Sequence, residues 1–182
     1  MTSATAQLTG DYVIDPAHST VGFTARHAMV TKVRGSFGSY EGKLHLDWEN
    51  PAASSAEISI DVESIDTKNE QRDGHLRTND FFDAPNFPKI TFTSTSVEKV
   101  DDEHFKVTGD LSIKGTTKPV TVDWEFGGIA QDPFGNTRVG FEGKVVVSRS
   151  EWGISFNAAL ETGGVLVSEK VTLEFDISAI KQ

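Results

Sequence analysis

Apolar side chains recur at every second position in stretch after stretch of this chain, and a helix cannot bury that period on one face. Phe105, Val107, Leu111 and Ile113 alternate with Lys106, Thr108, Asp110 and Lys114. Val120, Val122, Trp124 and Phe126 alternate with Thr121, Asp123 and Glu125, and Val171, Leu173, Phe175 and Ile177 with Thr172, Glu174, Asp176 and Ser178. Successive strand side chains point to opposite faces, so each stretch reads as a strand with one buried and one wet face. The same reading gives strands at Val21–Arg26, at Arg34–Trp48 with Tyr40, Leu44, Leu46 and Trp48 on one face, and at Ile58–Val62. Two more follow at Ile90–Val97, where Val97 is out of phase and predicts a bulge, and at Val139–Val147.

These strands total eight, and closing them into an antiparallel up-and-down barrel removes both exposed edges. A two-sheet sandwich would give the same alternation and is the structural alternative. An eight-stranded barrel either fills with side chains or holds one small or elongated ligand. Ala25, Gly42, Ser94, Ser96 and Gly109, small residues at inward positions, favour a cavity.

One segment breaks the pattern between the third and fourth strands. In Thr67–Phe92, Thr67 and Glu70 have the spacing of a capping box, which starts a helix near Lys68. Asp73 and Arg77, four apart, face each other on its surface, and Gly74 weakens it. Phe81 and Phe82 follow as exposed-looking aromatics, and Pro85 and Pro88 return the chain to an extended run. A short helix of this kind suits a lid over the barrel end.

The chain has 182 residues, enough for one barrel domain over 11–182 after a flexible arm at 1–10. No apolar run approaches the ~18 residues that span a bilayer. A net charge of −10 disfavours nucleic acid and anionic membrane surfaces. The amino terminus, MTSATAQLTG, carries no basic patch followed by an apolar core, so the expected location is cytoplasmic. There are no cysteines, hence no disulfides or thiolate metal sites.

Candidate chemistry is sparse. The five histidines, His18, His27, His45, His75 and His104, lack the local spacing of a zinc site, so no metal and no other cofactor is expected. Asp15, His18 and Ser19 have the residue types of a hydrolytic triad but lie on one turn without a Gly-x-Ser-x-Gly elbow, so turn hydrogen bonds are the expected role. No catalytic residue is assigned. His27 continues an apolar face and is either a hydrogen-bonded core histidine or a ligand contact. Arg72–Asp73 and Arg77–Asp80 read as a charge network fixing the helix to the rim, or as a grip on a polar headgroup. Gly163–Gly164 reads as a turn.

In order along the chain, His18-Ser19 with Phe23 and His27, Arg34-Gly35-Ser36-Phe37, Ser64-Ile65-Asp66-Thr67, Arg72-Asp73-Gly74-His75-Leu76 and Asp80-Phe81-Phe82-Asp83 resemble signatures of the YceI-like family. Pro88–Ser94, Gly109–Gly115 and Ser148-Arg149 before Trp152-Gly153 continue the resemblance, which spans roughly 11–180. The resemblance implies an all-β, eight-stranded antiparallel lipocalin-like barrel around an apolar tunnel for polyisoprenoid or similar amphipathic lipids, without catalysis. By position Phe23, Phe37, Phe92, Phe105, Leu111, Phe141 and Phe175 would line the tunnel, with Leu76, Phe82 and Trp152 at the irregular segments. His27, Arg72 and Arg149 would meet a headgroup. Family members are often dimers, so a homodimer is a further implied partner. The competing expectations are a lipid-modifying isomerase or hydrolase using His27, and a filled barrel acting as an interaction module.

Overall fold

The computed structural model describes residues 8–28, 30–157 and 167–182. Its strands are β1 (Gly10–Ile14), β2 (Thr20–His27), β3 (Thr31–Phe37), β4 (Tyr40–Leu46), β5 (Ser55–Asp61) and β6 (Ile65–Asp66), then β7 (Lys89–Lys99), β8 (His104–Ile113), β9 (Thr116–Gln131), β10 (Thr137–Ser148) and β11 (Lys170–Lys181). One α-helix, α1 (Glu70–Leu76), lies between β6 and β7. Every strand pairing is antiparallel, in the order β1-β4-β5-β7-β8-β9-β10-β11-β2-β3-β6, and β1 also pairs with β11. That last pairing closes eight strands, β1, β4, β5 and β7–β11, into a barrel.

The eight are not quite those read from the sequence. The short run Tyr12-Val13-Ile14 is the closing strand, held by Tyr12 opposite Lys181 on one side and Leu44 on the other. Tyr12 is fully buried, with Val139 and Ala179 around it. The Val21–Arg26 strand instead leads into a wing, β2-β3-β6, that extends the sheet from the lower-numbered half of β11, where Phe175 faces Val21. The long Arg34–Trp48 run divides at Gly38–Ser39: β3 pairs with β2 and β6, whereas β4 pairs with β1 and β5. The bulge at Val97 is present, as a register shift between Ser94 and Ser96.

Between β1 and β2 the chain turns at Asp15, whose carboxylate accepts from the Ala17 amide at 3.1 Å and from His18 at 2.8 Å. Ser19 Oγ donates to Ser178 O and accepts from Ser178 N, so these three residues serve the turn, as expected. Arg138 Nη1 donates to Asp15 at 2.7 Å and its Nε to Asp132 at 2.9 Å, tying the β9–β10 hairpin to this crossover. Both carboxyls are held at a pKa of about 2, Asp15 chiefly by Arg138 and then His18, and Asp132, against desolvation that pulls the other way, chiefly by the Asn136 backbone amide and then Arg138.

The helical segment departs from its sequence reading. Lys68 has φ +65°, a left-handed turn that cannot enter a helix, so α1 starts at Glu70 with Asn69 as its cap, accepting from Arg72 N at 3.0 Å. Thr67 is buried and donates its amide and hydroxyl to Asp73, itself buried. Arg77 does not face Asp73; it donates to the carbonyls of Glu63 and Ile65, both at 3.1 Å. Phe81 is buried rather than exposed, and Phe82 meets the edge of Phe37 at 6.2 Å. The segment plugs the barrel end with its aromatics. Residues 1–7 of the expected arm and the expected turn at Gly163–Gly164 lie outside the described residues.

Candidate functional site

Alternation along the barrel strands turns one series inward, and where those side chains do not meet they leave an apolar cavity of about 140 Å³. Its wall includes Ile60 and Ile90, paired across β5 and β7, the facing pair Phe141 and Ile177 on β10 and β11, and Trp48 and Phe105. The exposed surface inside is almost wholly apolar. A second, wider concavity of about 1380 Å³ opens to solvent past Lys106, Asp123, Glu142 and Lys144, so it cannot desolvate an apolar ligand. The apolar cavity is the candidate site.

Inward glycines do not enlarge it in the way the sequence implied. A Cβ on Gly109 would stand 2.5 Å from Phe92 Cζ, and one on Gly143 2.6 Å from the Trp124 ring. Gly42 likewise receives Ile14. Each glycine is a niche into which a large side chain on the neighbouring strand folds flat against the wall, and the free space is what remains along the axis. Ser94 is used locally, accepting from Ala56 N at 2.8 Å.

Of the residues expected to line a tunnel, Phe92, Phe105, Leu111, Phe141 and Phe175 border the cavity. Phe23 and Phe37 lie in the wing, 5.8 Å apart, with Phe23 covering Gly35. Leu76 and Phe82 pack at the plugged end, and Trp152 is buried there with Nε1 donating to Leu111 O at 2.9 Å. The three headgroup candidates are elsewhere. His27 is exposed at the end of β2, so it does not continue an inward face. Arg72 spends Nε and Nη2 on Thr67, at 2.7 and 2.6 Å. Arg149 is buried and donates to Ser168 O, Ile154 O and Val167 O, and burial pushes its pKa down. Both guanidiniums fix backbone at the plug.

Sequence reasoning did not select Trp48 and Trp124 as lining residues, although both share an alternating face with residues that it placed inward. Among the described residues no group of three or more His, Cys, Asp or Glu could hold a metal ion. No described helix is long and apolar enough to cross a membrane.

The match to the YceI-like domain model runs over residues 12–179, from the closing strand to the end of β11. The chain belongs to the YceI-like family. A UPF0312 protein from Staphylococcus aureus (strain USA300) is 41% identical over 165 residues, covering 90% of this chain and 94% of that protein. Among solved structures, Burkholderia cenocepacia BcnA superposes with a TM-score of 0.80 at 25% identity, covering 91% of this chain and 98% of BcnA. A polyisoprenoid binding domain from Saccharophagus degradans, implicated in plant cell wall breakdown, shares the fold with a TM-score of 0.72 at 16% identity, covering 94% and 98% of the two chains. The YceI-like barrel is therefore common to all three, and in this chain it encloses the apolar cavity described above.

Proposed function

We propose that this protein binds a long apolar lipid with a polar end, a polyisoprenoid or isoprenoid quinone, inside the barrel, storing or carrying it without chemical change. The observation that carries the reading is the apolar cavity, walled by apolar side chains from all eight barrel strands. The name of the Saccharophagus degradans neighbour supports the ligand class. Burying a chain releases about 0.8 kcal/mol per methylene, so a few isoprene units bind without any strong polar contact. An apolar cavity of about 150 Å³ holds a benzene-sized molecule, and 140 Å³ is close to that. A longer chain needs more room than that, and the reading requires the wall to widen as it enters while the aromatic rings stay in their glycine niches. No observation favours an enzyme using His27, which stands exposed on the wing.

The test is thermal unfolding of delipidated protein with and without farnesol or a short-chain isoprenoid quinone. A ligand at 100 times its Kd adds about 2.7 kcal/mol, and about 2–4 °C per kcal/mol is expected for a domain of this size. A rise of about 5–10 °C is the expected result. A midpoint that does not move for either lipid would refute the reading and point to a barrel that takes no guest.

A further inference from the structure

The net charge of −10 is not spread evenly over the surface. On the outer face of the sheet Glu142 of β10 stands opposite Glu125 of β9 and Asp176 of β11, and Asp176 stands opposite Thr20, so these carboxylates lie level with the start of β2. Cations gather toward its other end. Arg26 pairs across the β2–β3 hairpin with Lys32, and Arg34 pairs with Thr24, so alternation puts all three on one face, with Arg26 about 20 Å along the strand from Thr20. Lys170, two residues before Thr172 on β11, shares that face.

All four cations are exposed. Arg26 Nη1 donates to Val30 O at 3.4 Å and Lys170 Nζ to Ser148 Oγ at 2.6 Å, whereas the side chains of Lys32 and Arg34 have no ion-pair or hydrogen-bond partner among the described residues. Nearby carboxylates are engaged elsewhere: Glu174 accepts from Thr24 Oγ1 and Glu169 from Ser150 N, both at 3.2 Å. Like charges directly opposite one another weaken a ladder, so the Arg26–Lys32 pair is a cost that an anionic partner relieves.

The hairpin ends in an apolar tip. Val30 N donates to His27 O at 3.1 Å, and Ala28 takes φ +53°, a left-handed conformation that strains an alanine. This turn holds Val30 77% exposed and ahead of the cations. At about 3.4 Å per residue, Lys32 and Arg34 lie about 7 and 14 Å behind it. An apolar residue in front with cations behind matches a bilayer surface, where an interfacial segment reaches about 5–10 Å to the acyl boundary and meets anionic headgroups above it. Cations on an edge strand also deter pairing with other chains, and β3 is an edge over 31–35 because β6 pairs only with Ser36 and Phe37. Edge protection does not account for Arg26, on the inner strand, or for Val30.

We propose that the β2–β3 hairpin docks the protein on the surface of an anionic phospholipid bilayer, with Val30 at the headgroup boundary and Arg26, Lys32, Arg34 and Lys170 against lipid phosphates. The same surface repels the acidic remainder of the chain, so contact is tip first. This docking surface is independent of the cavity; for a lipid binder it is the place of exchange with the membrane.

Vesicle flotation tests the docking. Wild-type protein is expected to bind vesicles of equal parts phosphatidylcholine and phosphatidylglycerol at low salt, to ignore pure phosphatidylcholine, and to be released in about 1 M NaCl, where charge is screened within about 3 Å. Each cation at the surface is worth about fivefold in affinity, so Lys32→Gln with Arg34→Gln is expected to lose about 25-fold, and Val30→Ser about fivefold. These side chains are exposed, so the melting temperature and its rise with farnesol are expected to match wild type, which separates failure of docking from failure of lipid binding in the cavity. Wild-type protein that ignores the anionic vesicles, binds neutral ones equally well, or keeps its affinity in these variants would overturn the proposal. Retention on polyglutamate through Lys32 and Arg34, without vesicle binding, would overturn it in favour of an acidic peptide.

Discussion

Arg149→Ala is expected to lower the free energy of unfolding by about 3 kcal/mol or more, a fall of about 6–12 °C in melting temperature for a chain of this length. The reason lies in what the side chain leaves behind. Arg149 is 6% exposed, and its donors reach Ile154 O at 2.7 Å, Ser168 O at 2.8 Å and Val167 O at 3.3 Å. Removing it leaves three carbonyls without their charged donor, the bond to Ile154 O being the fully buried one, and losing hydrogen bonds to a charged group costs about 1.5–3 kcal/mol each. Trp152 and Ile154, both buried, lie on the same turn and would lose their fixed backbone. Lysine does not rescue the site, because a single ammonium cannot span carbonyls that a planar fork reaches. Circular dichroism melting measures the loss. A fall below about 1 kcal/mol would mean that the carbonyls find other donors and that Arg149 does not organise this end of the barrel.

The second expectation couples the wall to the guest. Gly109→Ala places a Cβ 2.5 Å from Phe92 Cζ and 2.6 Å from Thr93 O. A ring can swing away, but a strand carbonyl cannot, so the strain reaches both the β7–β8 ladder and the cavity. Overpacking of this kind costs about 1–3 kcal/mol, and the upper part of that range is expected here because backbone is involved. The Phe92 ring turns into the cavity it borders, and lipid affinity is expected to fall by at least about tenfold, one displaced aromatic contact being worth about 1–2 kcal/mol. Gly74→Ala is the control, since nothing lies within 4 Å of its Cβ and its helical site favours alanine by about 1 kcal/mol. Paired melting and lipid titration decide the matter. A Gly109→Ala protein with wild-type stability and affinity would show that the niche is not a fixed part of the wall.

The barrel was legible because period two survives along its long strands: Phe105 to Ile113 and Val120 to Phe126 each turn one face inward, as their sequence says. Even the bulge announced itself, since Val97 falls out of phase and the ladder slips between Ser94 and Ser96 to return it to the wall. Closure was not legible. β1 has 5 residues, too few to show a period, and its partners Lys181 and Leu44 are far away in sequence. Nor could spacing show that Lys68 turns left-handed, which moves the helix start past Thr67 and frees that residue to bind Asp73.

For the candidate site the lesson is similar. Phe92, Phe105, Leu111, Phe141 and Phe175 border the cavity because facing inward is a local property of a strand residue. Whether an inward glycine leaves space depends on the neighbouring strand, as Phe92 over Gly109 and Trp124 over Gly143 show. Charge was the least readable signal. Arg72 and Arg149 have the chemistry of headgroup ligands, yet both are committed to the backbone around them, a fact that only the path of the chain determines. Conversely Trp48, which reads as one more apolar residue on the face of Leu44 and Leu46, borders the cavity, and its Nε1 is, with Tyr40 Oη, one of two buried side-chain polar atoms left without a partner among the described residues.

Native mass spectrometry of the purified protein, followed by solvent extraction and identification of what is released, tests the central claim most directly. The account predicts an added mass of a few hundred daltons that leaves on extraction and proves to be an isoprenoid, and it predicts that the stripped protein takes the same compound back. A bare chain mass that stays bare after incubation with isoprenoids would contradict it, and would make the barrel a filled one.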